Sequence, residues 1–290
     1  MKMPQFKLSS GRELEVLDNG VDSTHAIVFH HGTPASASLW SQWFTYATDL
    51  GIRAISYSRA GYGTSDRDYG RSIVSVNKDI SEVLASKGIE RFVAIGWSGG
   101  GPHALANTLL DTNVGAITLA GVGAFGVDDL DFLEGMAQEN HDEFGASLQG
   151  EDVIQKWFVD NATAFKSAGG SEIREAFGGL ISEADKKSME GSFADVIASA
   201  IRSGLAVSFD GWVDDDVAFT KPWGFDLASI NKPVKIWQGD QDYMVPHAHS
   251  HWLKKHISTA ELTFIPGQGH VTLLVDYTDK VFAQAKELLA

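Results

Sequence analysis

The stretch "VAIGWSGGGPHALA" (residues 93–106) sets Ser98 between Gly96 and Gly100, with an apolar run before it and an alanine- and leucine-bearing run after it. The first run reads as a buried strand and the second as a helix. A serine at that junction would sit on a very tight turn. Glycines are needed around such a turn because larger side chains would clash there. The hydroxyl would then project from the sheet as a nucleophile. The N–H of Gly99 would lie at the positive end of the following helix, where it would help stabilise an oxyanion. The rival reading is a nucleotide-binding loop. A dinucleotide fingerprint requires G-x-G-x-x-G after the first strand of its unit, and a Walker loop ends in G-K-[ST]. "GWSGGG" has neither spacing and arrives late in the chain.

Strand and helix signals alternate on both sides of this bend. "HAIVFHHG", "IRAISYS", "RFVAIGW" and "GAITLAG" read as strands. "SLWSQWFTYATDLG", "SIVSVNKDISEVLASKG" and "GPHALANTLLD" read as the helices between them, two of them closed by glycine. This alternation predicts an α/β fold with a mostly parallel sheet and helices on both faces. "FKLSSGRELEVLDNG" reads as an antiparallel hairpin at the sheet edge. From Phe125 to Asp226 the strand signals vanish. "DLDFLEGMAQENHDEF", "DVIQKWFVDNATAFKSA" and "SFADVIASAIRSGLAVSF" read as amphipathic helices of an inserted cap. Alternation resumes with "KPVKIWQG", a helix from His247 to His256, "ELTFIP" and a last helix from Asp276 to Leu289. The predicted division is a core of residues 1–124 and 227–290, with a helical cap of residues 125–226.

A serine needs a base, and the base needs an orienting acid. "WQGDQDYMVP" offers Asp240 and Asp242 after the resumed strand, and "IPGQGH" offers His270 after the last one. Open α/β sheets place their ligand sites beyond the carboxyl ends of the strands, where Ser98 is also expected. "HHGTPASASLW" follows the first parallel strand. Gly32 there allows a close backbone approach, and Thr33 presents a second N–H beside the serine turn. Gly32 and Trp97 are candidate substrate contacts. His103 reads as a packed helix residue, and Arg59 with Asp66 as a loop brace. Trp157, Phe158, Trp212 and Trp223 are expected in the cap core. Asp214, Asp215 and Asp216 are expected on a solvated turn. His247, His249, His251 and His256 are expected on a solvated helix face and not at a metal, since no HExxH pattern accompanies them.

With 290 residues, 43% of them hydrophobic, the chain has material for one core domain plus an insertion. A formal net charge of −15 repels nucleic acid and anionic membrane, so neither is an expected partner. The absence of cysteine rules out disulfides, thiolate catalysis and cysteine zinc sites and fits a reducing compartment. "MKMPQFKLSSGRELEVLDNG" has no apolar signal region, and no segment reaches the ~18 apolar residues of a membrane span. A cytoplasmic location is the expectation.

"HGTP", "SRAGYGTSD", "GWSGG", "GDQDYMVP" and "GQGH" occur in that order, and with them the chain resembles the α/β-hydrolase superfamily over nearly its full length. The resemblance implies Ser98 as nucleophile, Asp242 in preference to Asp240 as acid, His270 as base, and the N–H groups of Thr33 and Gly99 as oxyanion hole. It implies hydrolysis of a small-molecule carboxylic ester through an acyl-enzyme, with no cofactor and no metal. The segment "WVDDDVAFTKPWGFD" is similar to that of bacterial esterase and proline iminopeptidase-like members. Serine at the nucleophile position differs from the aspartate of dehalogenating and epoxide-opening members. Gly99 and Gly100 stand where proline iminopeptidases usually show a tryptophan after the nucleophile. Three other readings remain: an aminopeptidase holding a substrate ammonium in the acidic cap, a carbon–carbon bond hydrolase, and a ligand-binding protein of negligible turnover.

Overall fold

A computed structural model describes residues 4–290. Its eight strands are β1 (Gln5–Lys7), β2 (Glu13–Asp18), β3 (His25–His30), β4 (Arg53–Tyr57), β5 (Arg91–Trp97), β6 (Asn113–Leu119), β7 (Val234–Gly239) and β8 (Ala260–Ile265). They form one sheet in the order β1-β2-β4-β3-β5-β6-β7-β8. The β1–β2 and β2–β4 pairs are antiparallel and every other pair is parallel. Both faces of the central strands are apolar, as a sheet covered on two sides requires. On β3, Ile27 and Phe29 join one core cluster with Trp43 and Phe282. Ala26 and Val28 join a second cluster with Val83, Leu105 and Leu253. Helices α1 (Ser41–Asp49) and α12 (Thr278–Leu289) therefore cover one face. The other is covered by α2 (Val76–Ser86), α3 (Gly100–Asn107) and α10 (Ala248–His256). The short α11 (Thr272–Val275) follows β8.

Between β6 and β7 lie α4 (Gln138–Ser147), α5 (Glu151–Asn161), α6 (Gly170–Ala176), α7 (Glu183–Ser188), α8 (Ser192–Gly204) and α9 (Asp210–Phe219). Three sequence expectations change here. The helix expected over "DLDFLEGMAQENHDEF" is confined to its second half, and the first half is a chain of turns in which Met136 N–H bonds Leu133 C=O. The helix expected over residues 192–209 ends at Gly204, whose C=O accepts the N–H of Gly63 in the sheet domain. "DGWVDDDVAF" is the buried helix α9, where a solvated turn was expected. Its Asp214, Asp215 and Asp216 are all buried; Arg67 neutralises Asp214, and Arg59 with Arg71 neutralises Asp215.

The histidines on α10 divide. His247 and His251 are exposed, as a solvated face requires. His249 is fully buried instead. Its Nδ1 accepts the N–H of Gly123 at 2.9 Å, and its Nε2 donates to Phe132 C=O at 3.0 Å. Trp223 packs in the cluster on the α2–α3 face, away from Phe158 and Trp212, whose rings stand 4.1 Å apart within the inserted helices.

Candidate active site

β5 delivers Ser98 at its carboxyl end, and the chain turns at once into α3. Ser98 has φ +55°, a conformation that L-residues adopt only where the surroundings hold them. Ser98 N–H bonds Leu119 C=O at 2.9 Å, and Gly101 N–H bonds Ser98 C=O at 2.9 Å. The surrounding glycines have no room for a side chain. A Cβ on Gly96 would stand 2.2 Å from the oxygen of Gly100, and one on Gly100 would stand 2.3 Å from that of His30.

His270 lies on the turn between β8 and α11 and is 1% exposed. Its Nδ1 donates to Asp242 Oδ2 at 2.8 Å, and among the described residues its buried Nε2 has no hydrogen-bond partner. Asp242 is fixed on all sides. Its Oδ1 accepts the N–H groups of Met244 (3.0 Å) and Val245 (2.8 Å), and its Oδ2 also accepts from Gln238 Nε2 at 3.1 Å. Asp240 turns elsewhere and accepts Gly267 N–H at 2.6 Å. Trp97 Nε1 donates to His270 C=O at 3.1 Å, with the two ring centres 4.9 Å apart.

Thr33 and Gly99 lie next to each other. A Cβ on Gly99 would reach within 2.4 Å of Thr33 Oγ1. Among the described residues, no acceptor takes the N–H of either one. Two free N–H groups beside a serine hydroxyl are what a developing oxyanion needs. Thr33 is pinned through Oγ1, which donates to Asp215 Oδ2 at 2.6 Å and accepts from Arg59 Nη2 at 3.0 Å. Gly32 is packed beneath the Trp97 ring, where a Cβ would stand 2.6 Å from a ring carbon. His103 donates from Nδ1 to Gly99 C=O at 2.9 Å, and burial keeps its imidazole neutral by pushing its pKa well down.

Asp215 gathers Arg59, Arg71 and the Tyr62 hydroxyl as well as Thr33. Burial alone would raise its pKa, but the two guanidiniums more than offset that and hold it well below the ordinary carboxylate range. The expected brace at Arg59 is therefore a link between α9 and the loop bearing Thr33. Asp66 ties its loop to β2 by accepting Glu13 N–H at 2.8 Å.

A second buried aspartate went unnoticed in the sequence. Asp185, on α7, is 0% exposed. Its oxygens accept the N–H groups of His270 (3.0 Å), Val271 (2.7 Å) and Thr272 (3.0 Å). Gly269 must be glycine, since a Cβ there would fall 2.0 Å from Asp185 Oδ2. Ser182 and Asp185 form a capping box, a signature that points to a local helix start and not to a loop 85 residues away.

Ser98, Trp97, Gly99, Thr33 and His270 all line one cavity of about 740 Å³, within the range of small-molecule sites. Trp157, Phe165, Phe177 and Trp212 of the inserted helices complete its walls. Among the described residues, no cluster of three or more metal-ligating side chains occurs, and no helix is long and apolar enough to cross a membrane.

Residues 27–285 match the sequence profile of the alpha/beta hydrolase family. The chain is 28% identical over 275 residues to a non-heme haloperoxidase of Rhodococcus erythropolis, covering 92% of this chain and 93% of that protein. It is 24% identical over 244 residues to a bifunctional esterase/perhydrolase of Acinetobacter calcoaceticus, covering 81% of each. An esterase structure from Exiguobacterium antarcticum superposes with a TM-score of 0.70 at 20% identity, over 98% of this chain and 100% of that one. At that identity the structural likeness is one of fold.

Proposed function

The chain belongs to the alpha/beta hydrolase family, and from that premise we propose that it is a serine hydrolase cleaving a small-molecule carboxylic ester through an acyl-enzyme on Ser98. His270 Nε2 takes the hydroxyl proton as Ser98 Oγ attacks the ester carbonyl. The carbonyl oxygen gains negative charge and is met by the N–H groups of Thr33 and Gly99. His270 then gives its proton to the departing alcohol. Water, deprotonated by the same Nε2, attacks the acyl-serine, and Ser98 regains its proton as the acid leaves. Asp242 holds the imidazole with Nε2 toward the cavity and supports its positive charge at each transfer.

The observation that carries this reading is the state of His270. One nitrogen is tied to a fully bonded carboxylate, and the other is buried without a partner in the cavity that Ser98 lines. The esterase function in the name of the Acinetobacter relative supports ester over amide or carbon–carbon bond cleavage. The test is labelling of purified protein by a fluorophosphonate, beside a Ser98→Ala variant. Wild type is expected to label and the variant not to. Equal labelling of both, or of neither, defeats the assignment.

A further inference from the structure

Asp216 is 1% exposed and lines the same cavity as Ser98. Among the described residues its Oδ2 is buried without a hydrogen-bond partner, and no arginine, lysine or N–H group reaches the carboxyl. Its polar neighbour is another carboxyl, that of Glu143 on α4, which also lines the cavity. Glu143 accepts the N–H of Trp212 at 2.6 Å and is hydrogen-bonded to Asp216. Two carboxyls so placed must share a proton. Burial pushes Glu143 up to about 7 and Asp216 well above its ordinary range. Asp214 and Asp215, on the same helix, have their arginines, and Asp216 has none.

A buried carboxyl lacking its donors is costly. The rest of the wall explains what would relieve it. Glu139, Asp142 and Glu172 also border the cavity, and among the described residues no lysine or arginine does. An anionic substrate would meet carboxylates without a countercharge. A protonated amine would supply both the missing N–H donor and the missing positive charge, against the aromatic faces of Trp157 and Phe165.

We propose that Asp216 and Glu143 form a subsite for a protonated amine, so that the esters this cavity takes carry a basic nitrogen remote from the carbonyl. This rests on Ser98 being the nucleophile of an ester hydrolase. It adds a specificity that the fold does not supply.

The test compares two aryl esters of equal shape, a 6-(dimethylamino)hexanoate and the neutral 7-methyloctanoate. Wild type is expected to favour the amine by about tenfold or more in kcat/KM, the worth of one charge-assisted bond. Because each protein is judged by its own ratio, partial loss of folded enzyme does not disturb the comparison. Asp216→Asn is expected to bring the ratio close to one, and Glu143→Gln to lower it. A ratio near or below one in wild type, or a ratio unchanged in both variants, overturns the subsite. So does equal preference for an 8-hydroxyoctanoate ester, which would mean that a neutral donor suffices.

Calorimetry with 6-(dimethylamino)hexan-1-ol separates the two readings, since it needs no turnover. Binding by Ser98→Ala that Asp216→Asn abolishes supports the subsite even if no ester is cleaved. Cleavage of neutral esters through Ser98 with no amine preference leaves the hydrolase standing and removes the subsite.

Discussion

Asp240 and Asp242 are separated by one glutamine, and the structure gives them unlike tasks. Asp242 is closed in by two N–H groups, an amide and His270, while Asp240 braces the Gly267 turn. Asp242→Asn should leave the loop in place and lower kcat by about 10⁴-fold, because an amide stabilises the wrong imidazole tautomer. Asp240→Asn should stay within about threefold of wild type, since it touches no reacting group. Steady-state ester hydrolysis by the two variants checks this, and a reversed order would exchange the roles. The residues on the turn were easy to read in the sequence because their constraint is local. Ser98 requires glycines within two positions, and those glycines are in plain view. The choice between the two aspartates is not local. It depends on which side of a strand-end loop each carboxyl leaves, and single-residue spacing does not show that.

Helices α7 and α9 show where such reading stops. "WVDDDVAF" carries three successive charges, a pattern of solvated turns, yet Asp214 and Asp215 are buried against arginines from a loop about 150 positions earlier. Nothing within the helix announces those partners. The same holds for Asp185, whose short helix was not expected at all. Asp185 acts on the histidine loop as a positioning residue, through three backbone N–H groups. Asp185→Asn presents an amide hydrogen to at least one of those donors. It should lower kcat by about 10- to 100-fold with KM nearly unchanged, the scale of loss expected when a reacting group is displaced by an ångström. A change confined to KM would place Asp185 in substrate binding instead. The strands of the sheet, by contrast, were legible. In the central strands β3 to β6 apolar residues dominate, because burial on both faces leaves few polar positions.

The molecule as a whole holds four histidines neutral by burial. His30 is pushed down to about 3 and His249 to about 4, with His31 and His103 also well below their ordinary value. Unfolded, each would take a proton near pH 6.5. The unfolded chain therefore binds more protons below that pH, and stability falls as pH drops from about 6.5 toward 4, by about 1.4 kcal/mol per pH unit for each histidine. Glu143 and Asp216 work in the opposite direction, since their raised values favour the fold as pH falls through 7. The buried histidines are the larger set with an unfolded value inside this range, so a net loss of stability is expected between pH 6.5 and 5.5. Urea unfolding at pH 7.5, 6.5 and 5.5 measures it, and a flat or rising stability toward acid would refute the balance. Two of the buried aspartates of the inserted helices, Asp215 and Asp185, reach across to the sheet-end loops. Asp215 holds the Thr33 side chain at one end of the proposed site, and Asp185 holds the backbone of His270 at the other. The insertion is therefore not a detachable module laid over a finished machine. Any foreign segment grafted between β6 and β7 to alter substrate range would have to bring a carboxylate to each of these two places. Segments that differ freely in their pocket walls would still be constrained at these two contacts.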